Sequence, residues 1–221
     1  MTDNNFFAWG TAGPALILAG IAVIALVLSD FRDWRAGRYC FKPLAALAFL
    51  WLAWVLGPLD SSYGRWLLAG LLCCALGDLL LMFERESAFL SGLVAFLSGH
   101  LLYMLAFAQL TTNISGLMLS LVPAAILIVG CSRWLRPHLS GLMVIAVPAY
   151  ILVIAGMLVM AGSTAGQAGA LLIMLGAWGF AVSDLAVARR QFVKASPWNG
   201  LWGTPLYFGS QMLLAASIAY Q

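Results

Sequence analysis

Eight apolar runs separated by short polar breaks constrain this chain more than any other feature. Their lengths match, to within about a turn, the ~20 residues that cross a hydrocarbon core of roughly 30 Å at about 1.5 Å of helical rise per residue. The runs cover approximately Phe7–Ser29, Phe41–Leu56, Trp66–Phe83, Ala88–Leu110, Gly116–Ser132, Gly141–Ala161, Gln167–Ala188 and Leu201–Ala219. In lipid a backbone must satisfy its own hydrogen bonds, so runs of this length read as helices. With 63% hydrophobic and only 9% charged residues among 221, the chain cannot present a water-facing surface. The expected fold is all-α: a polytopic bundle of about eight transmembrane helices forming a single membrane domain over residues 1–221. The first run lacks a basic leader and is too long for an ordinary signal-peptide core, so it reads as a retained helix.

Orientation follows from the eleven Lys and Arg residues. Arg32, Arg35, Arg38, Lys42, Arg85, Arg133, Arg136, Arg189, Arg190 and Lys194 fall in breaks 1–2, 3–4, 5–6 and 7–8, and Arg65 alone falls on the other side. By the positive-inside rule the basic breaks face the cytoplasm and both termini lie outside, as expected for a bacterial inner-membrane protein. The net charge of +3 suits an anionic leaflet and is no sign of nucleic-acid binding. Oligomeric state leaves no mark on the sequence.

Ionisable residues inside apolar helices are costly and mark function. Asp78 and Asp184 each lie about five residues, or ~7.5 Å of rise, inside the cytoplasmic ends of runs 3 and 7. The stretches around them, Gly77-Asp78-Leu79 and Ser183-Asp184-Leu185, echo one another, with four helices from one to the other. That spacing suggests two four-helix halves related by a parallel repeat. On run 4, Phe96, His100, Tyr103 and Phe107 share one helical face, and on run 8 Thr204, Tyr207 and Gln211 do the same. Tyr150 lies at similar depth in run 6, where Pro148 can kink the helix as Pro123 can in run 5. Lys42 stands at the cytoplasmic mouth of run 2, just before Pro43 in its first turn, where an ammonium group can meet a phosphate.

A lone intramembrane histidine or tyrosine is often no more than an interhelical hydrogen-bonder, and Lys42 can be a plain interfacial anchor. The two acids are harder to read that way, being too short to snorkel far. Other machineries are missing from the sequence. Cys40, Cys73, Cys74 and Cys131 show no C-x-x-C spacing, the two histidines lie far apart, and neither H-E-x-x-H nor G-x-S-x-G occurs. Neither a metal nor another cofactor is expected.

At these residues the chain resembles the YhhN family of lysoplasmalogenases. The likeness runs through Lys42-Pro43, Gly77-Asp78, then Phe89, Gly92, Phe96, His100, Tyr103 and Phe107. It continues with Pro148-Ala149-Tyr150, Gly176-Ala177 and Ser183-Asp184, and closes on Tyr207 and Gln211. The resemblance implies hydrolysis of the vinyl ether bond of a 1-alkenyl lysophospholipid, with ethanolamine or choline head group, to a fatty aldehyde and a glycerophospho-base. It also implies a lysophospholipid substrate drawn from the surrounding membrane lipids. Asp78, Asp184 and His100 are then the candidate catalytic groups, and Lys42, Tyr103, Tyr150, Ser183, Tyr207 and Gln211 the candidate substrate contacts. Two carboxylates sharing one proton can divide the labour as glycosidase carboxylates do around a similar cation, with either aspartate as the acid. A small proton-coupled transporter or lipid-handling protein is the competing expectation, since buried acids and repeated halves also mark carriers. An assembly subunit would leave the acids without a purpose.

Overall fold

The computed structural model describes residues 3–83 and 85–221, and every regular element among them is helical. Eight long α-helices follow in order: α1 (Asp3–Phe31), α2 (Arg35–Val55), α3 (Ser62–Leu80), α4 (Glu86–Phe107), α5 (Ile114–Leu135), α6 (Met143–Ser163), α7 (Ala170–Ala188) and α8 (Pro197–Ser217). Side-chain oxygens cap several starts: Ser61 accepts from the Gly64 N–H, Asn113 from Gly116 and Ser196 from Trp198. Gly169, at φ 73°, takes the left-handed conformation before α7 that other residues rarely adopt.

Seven of the eight are long and apolar enough to cross a membrane. The other, α8, carries Asn199, Ser210, Gln211 and Ser217, all buried. It tolerates them because it packs among α1, α2, α3 and α7. Ser210 and Ser217 donate to the Leu206 and Leu214 carbonyls, so their hydroxyls are satisfied within the helix.

Consecutive helices pair most extensively, α1 with α2, α3 with α4, α5 with α6 and α7 with α8. Glycines permit the closest approaches. A Cβ on Gly77 would stand 2.7 Å from the Phe96 ring, and one on Gly176 2.8 Å from Leu214. The core joins Phe49, Leu52, Leu67, Leu71, Phe107, Leu158, Phe180 and Phe208, while α5 turns Leu119, Val122 and Ile126 outward. Such exposed apolar surface is what a hydrocarbon solvent covers.

The connections sort to two ends. The Asn113 N–H donates to the Ser163 carbonyl at 2.7 Å and Gln221 Nε2 to Ala168 at 2.6 Å, joining connections 4–5 and 6–7 to the C-terminus. At the opposite end the Tyr39 hydroxyl donates to the Met82 carbonyl at 3.1 Å, and Phe89 meets Phe192 edge-on. Basic connections 1–2, 3–4 and 7–8 therefore gather together.

Three expectations need correction. Helix α2 starts at Arg35, not Phe41, so Pro43 lies well inside it and withholds an N–H from the Tyr39 carbonyl. Hydropathy marks where lipid begins, and the helix continues beyond it. Lys42 accordingly sits about two turns into α2, not at its mouth. Helix α3 ends at Leu80, leaving Asp78 in its last turn; the apolar run continues because Leu81, Met82 and Phe83 form a turn that lines a cavity.

Candidate active site

All eight long helices contribute residues to a cavity of about 970 Å³, large for a ligand site. Its walls are mainly apolar, with Phe89, Phe96, Ile151, Ile154 and Phe208 among them. Arg35, Arg38, Arg85 and Arg190 line it at the basic end. Among the described residues, none of those at the end bearing the C-terminus lines it.

Asp78, 2% exposed, is met from two sides. Lys42 Nζ of α2 lies 3.3 Å from its Oδ1, and the Tyr207 hydroxyl of α8 donates to its Oδ2 at 2.6 Å. Tyr207 is held by edge-on contacts with Phe96, Phe180 and Phe208. Both carboxyl oxygens of Asp78 thus face donors.

Asp184 stands one turn before the end of α7, which runs on into a π-helical turn over Arg189–Val193. The Tyr150 hydroxyl of α6 donates to its Oδ2 at 3.1 Å, and His100 Nε2 of α4 lies 3.6 Å from the same oxygen. His100 is wholly buried, stacked on Phe180 at 4.3 Å and edge-on to Tyr150 at 5.3 Å. Its Nδ1 lies 2.7 Å from the Phe96 carbonyl.

The residues singled out in the sequence therefore divide. Lys42, Asp78, Tyr150, Ser183, Asp184 and Tyr207 all line the cavity. His100 does not line it and stands behind Asp184 and Tyr150, which do. Tyr103 and Gln211 lie behind the wall, where the tyrosine hydroxyl donates to the glutamine Oε1 at 2.6 Å. Ser183 spends its hydroxyl on the Phe180 carbonyl at 2.7 Å. Sequence reasoning passed over the rim, where Arg38 pairs with Asp33 at 2.8 Å and Arg189 donates to Asn199 at 2.6 Å. Phe180 was also missed; nothing distinguishes a ring that stacks on histidine from any other apolar residue of α7.

The chain matches the YhhN family over residues 37–218. It belongs to that family. Lysoplasmalogenase TMEM86B of Sus scrofa is 35% identical over 210 residues, covering 93% of this chain and 85% of the relative. The Homo sapiens protein of the same name is 33% identical over 207 residues, covering 92% and 84%. The membrane protein YhhN of Escherichia coli O6:H1 is 36% identical over 84 residues, 38% of this chain and 39% of the relative. No solved structure matches the chain.

Proposed function

We propose that this protein is a lysoplasmalogenase, a membrane-embedded hydrolase of the vinyl ether bond of 1-alkenyl lysophospholipids. One observation carries the reading beyond kinship: two aspartates on separate helices face one apolar cavity beneath an arginine-bearing rim. A lysolipid can enter from the leaflet with its alkenyl chain against the apolar walls. Its phosphate stays near Arg38, Arg85 and Arg190, and its vinyl ether reaches the aspartates. Lys42, with its ammonium on Asp78, serves that carboxylate rather than the phosphate.

The reaction needs an acid and a water. A proton added to the vinyl carbon one removed from the ether oxygen forms a C–H bond from the π electrons and leaves an oxocarbenium ion. Carboxylates beside it stabilise that cation and accept a proton from the attacking water. The hemiacetal then passes its hydroxyl proton to a base while the glycerol oxygen is protonated and leaves, giving aldehyde and alcohol. Neither step calls for a cofactor.

Two parallel halves make up the single domain in this reading. α2 packs on α3 as α6 packs on α7, and α4 meets α6 as α8 meets α2. The site repeats the relation: α2 and α8 supply the partners of Asp78, α6 and α4 those of Asp184. Exchanging each helix for the one four later turns one set into the other. By the charge bias the basic end, and the cavity opening with it, faces the cytoplasm of a bacterial inner membrane.

A carrier would need a second opening, and the far end is filled by Tyr63, Leu67 and Phe107, with the Tyr63 hydroxyl bonded to Ser217. The test is to incubate purified protein with matched alkenyl and acyl lysophospholipids. Free fatty aldehyde from the alkenyl lipid alone is expected. Equal cleavage of the acyl lipid, or no aldehyde, would overturn the reading.

A further inference from the structure

Although the two aspartates look alike in sequence, the hydrogen atoms around them are not distributed alike. The Phe96 carbonyl can only accept, so His100 Nδ1, 2.7 Å away, must carry a hydrogen. A ring carbon at that distance would clash, which fixes the orientation of the imidazole. With Nδ1 protonated, the Nε2 of a neutral ring offers only a lone pair. That atom is buried, makes no hydrogen bond, and faces Asp184 Oδ2 at 3.6 Å, a small side-chain shift from hydrogen-bond reach.

As a carboxylate, Asp184 Oδ2 accepts from the Tyr150 hydroxyl but has no hydrogen to offer Nε2, so two acceptors would face each other and repel, and a proton belongs between them. The ring is sandwiched against Phe180 and Tyr150 and has no water contact, which favours neutral imidazole over imidazolium. Asp78 is the opposite case. Lys42 and Tyr207 bring donors to both its oxygens, and a proton there would waste one of them.

We propose that the proton transferred to the vinyl carbon resides on Asp184, directed toward His100 Nε2, while Asp78 remains a carboxylate. Resting on the lysoplasmalogenase reading, this assigns the roles within it. Asp184 gives its proton to the vinyl carbon one removed from the ether oxygen and, as a carboxylate, recovers one from the attacking water. Asp78 holds its charge against the oxocarbenium ion. His100 touches neither the cavity nor the substrate and is a positioning residue: it holds the acidic hydrogen between turnovers and releases it without having to carry charge itself.

Infrared spectroscopy of the substrate-free protein in lipid tests the assignment. The wild type should show the carbonyl stretch of a protonated carboxylic acid, shifted in deuterium oxide. That band should vanish in Asp184→Asn, move in His100→Leu as its acceptor is lost, and persist in Asp78→Asn. Loss of the band in Asp78→Asn with retention in Asp184→Asn, or no such band in the folded wild type, would overturn it. Because the wild-type spectrum needs neither variant nor turnover, failure here is distinct from failure to release aldehyde. In the active enzyme, Asp184→Asn should lower kcat more than ~10³-fold. His100→Leu should lower kcat while leaving KM near its wild-type value.

Discussion

Replacing Asp78 or Asp184 by Asn keeps the side chain's shape and removes its capacity to hold charge or give an acidic proton. General acid catalysis is typically worth 10²–10⁴-fold, and charge stabilisation in a dry site adds several kcal/mol. Each variant should therefore lose more than ~10³-fold in aldehyde release, with thermal unfolding followed alongside to exclude misfolding. Near wild-type turnover in either one would end the two-carboxylate mechanism. Lys42 separates two roles by kinetics. A phosphate ligand would contribute equally to ground and transition states and appear in KM, whereas a counterion of Asp78 appears in kcat. With its ammonium 3.3 Å from that carboxylate, Lys42→Met should depress kcat far more than it raises KM, and Lys42→Arg should be milder. A rise in KM alone would return Lys42 to the phosphate. The sequence marked these residues because charge in lipid is conspicuous. It could not show that Tyr103 and Gln211 bond to each other behind the wall, since a helical face does not say whether it meets a cavity or another side chain.

Between elements, the interface of α3 with α4 sets the site's geometry. Gly77 precedes Asp78 and abuts the Phe96 ring, while the Phe96 carbonyl orients His100. A methyl group on Gly77 would have to displace the Phe96 ring, which is itself packed against Phe180 and Tyr207. Gly77→Ala should cost about 1–3 kcal/mol in unfolding experiments and reduce activity as well. Gly130→Ala on α5, with nothing within 4 Å of its new carbon, should leave both unchanged. Equal behaviour of the two variants would remove close packing as the reason for Gly77. Element boundaries were legible only where hydropathy and helix coincide. At α2 the helix outruns the apolar stretch because Arg35 and Arg38 belong to the cavity rim, and at α3 the apolar stretch outruns the helix because its last residues line the same cavity. α8 shows the converse limit: its buried polar residues take it below the apolarity of a free-standing span, yet it is as long as its neighbours.

For the whole molecule, the alternation of eight helices was readable because lipid leaves so few ways to satisfy a backbone. The arrangement around the cavity was not, since helix order in the chain does not say which non-consecutive helices meet; only the echo of Asp78 in Asp184 hinted at it. Orientation follows from neither the fold nor the cavity and rests on charge. The ends are distinct: Thr112 and Gly166 belong to connections 4–5 and 6–7, whereas Arg136 and Lys194 belong to basic connections 5–6 and 7–8. Alkaline phosphatase, active only after export, should be active when fused after Thr112 or Gly166 and inactive after Arg136 or Lys194. The reverse pattern would turn the arginine-lined opening outward, and the substrate would then have to come from the outer leaflet. The vinyl ether chemistry would survive that reversal, because the aspartates and their partners are fixed by helix packing, but the source of the lipid would change. Topology and catalysis therefore rest on separate observations, and the fusion experiment decides the first without touching the second.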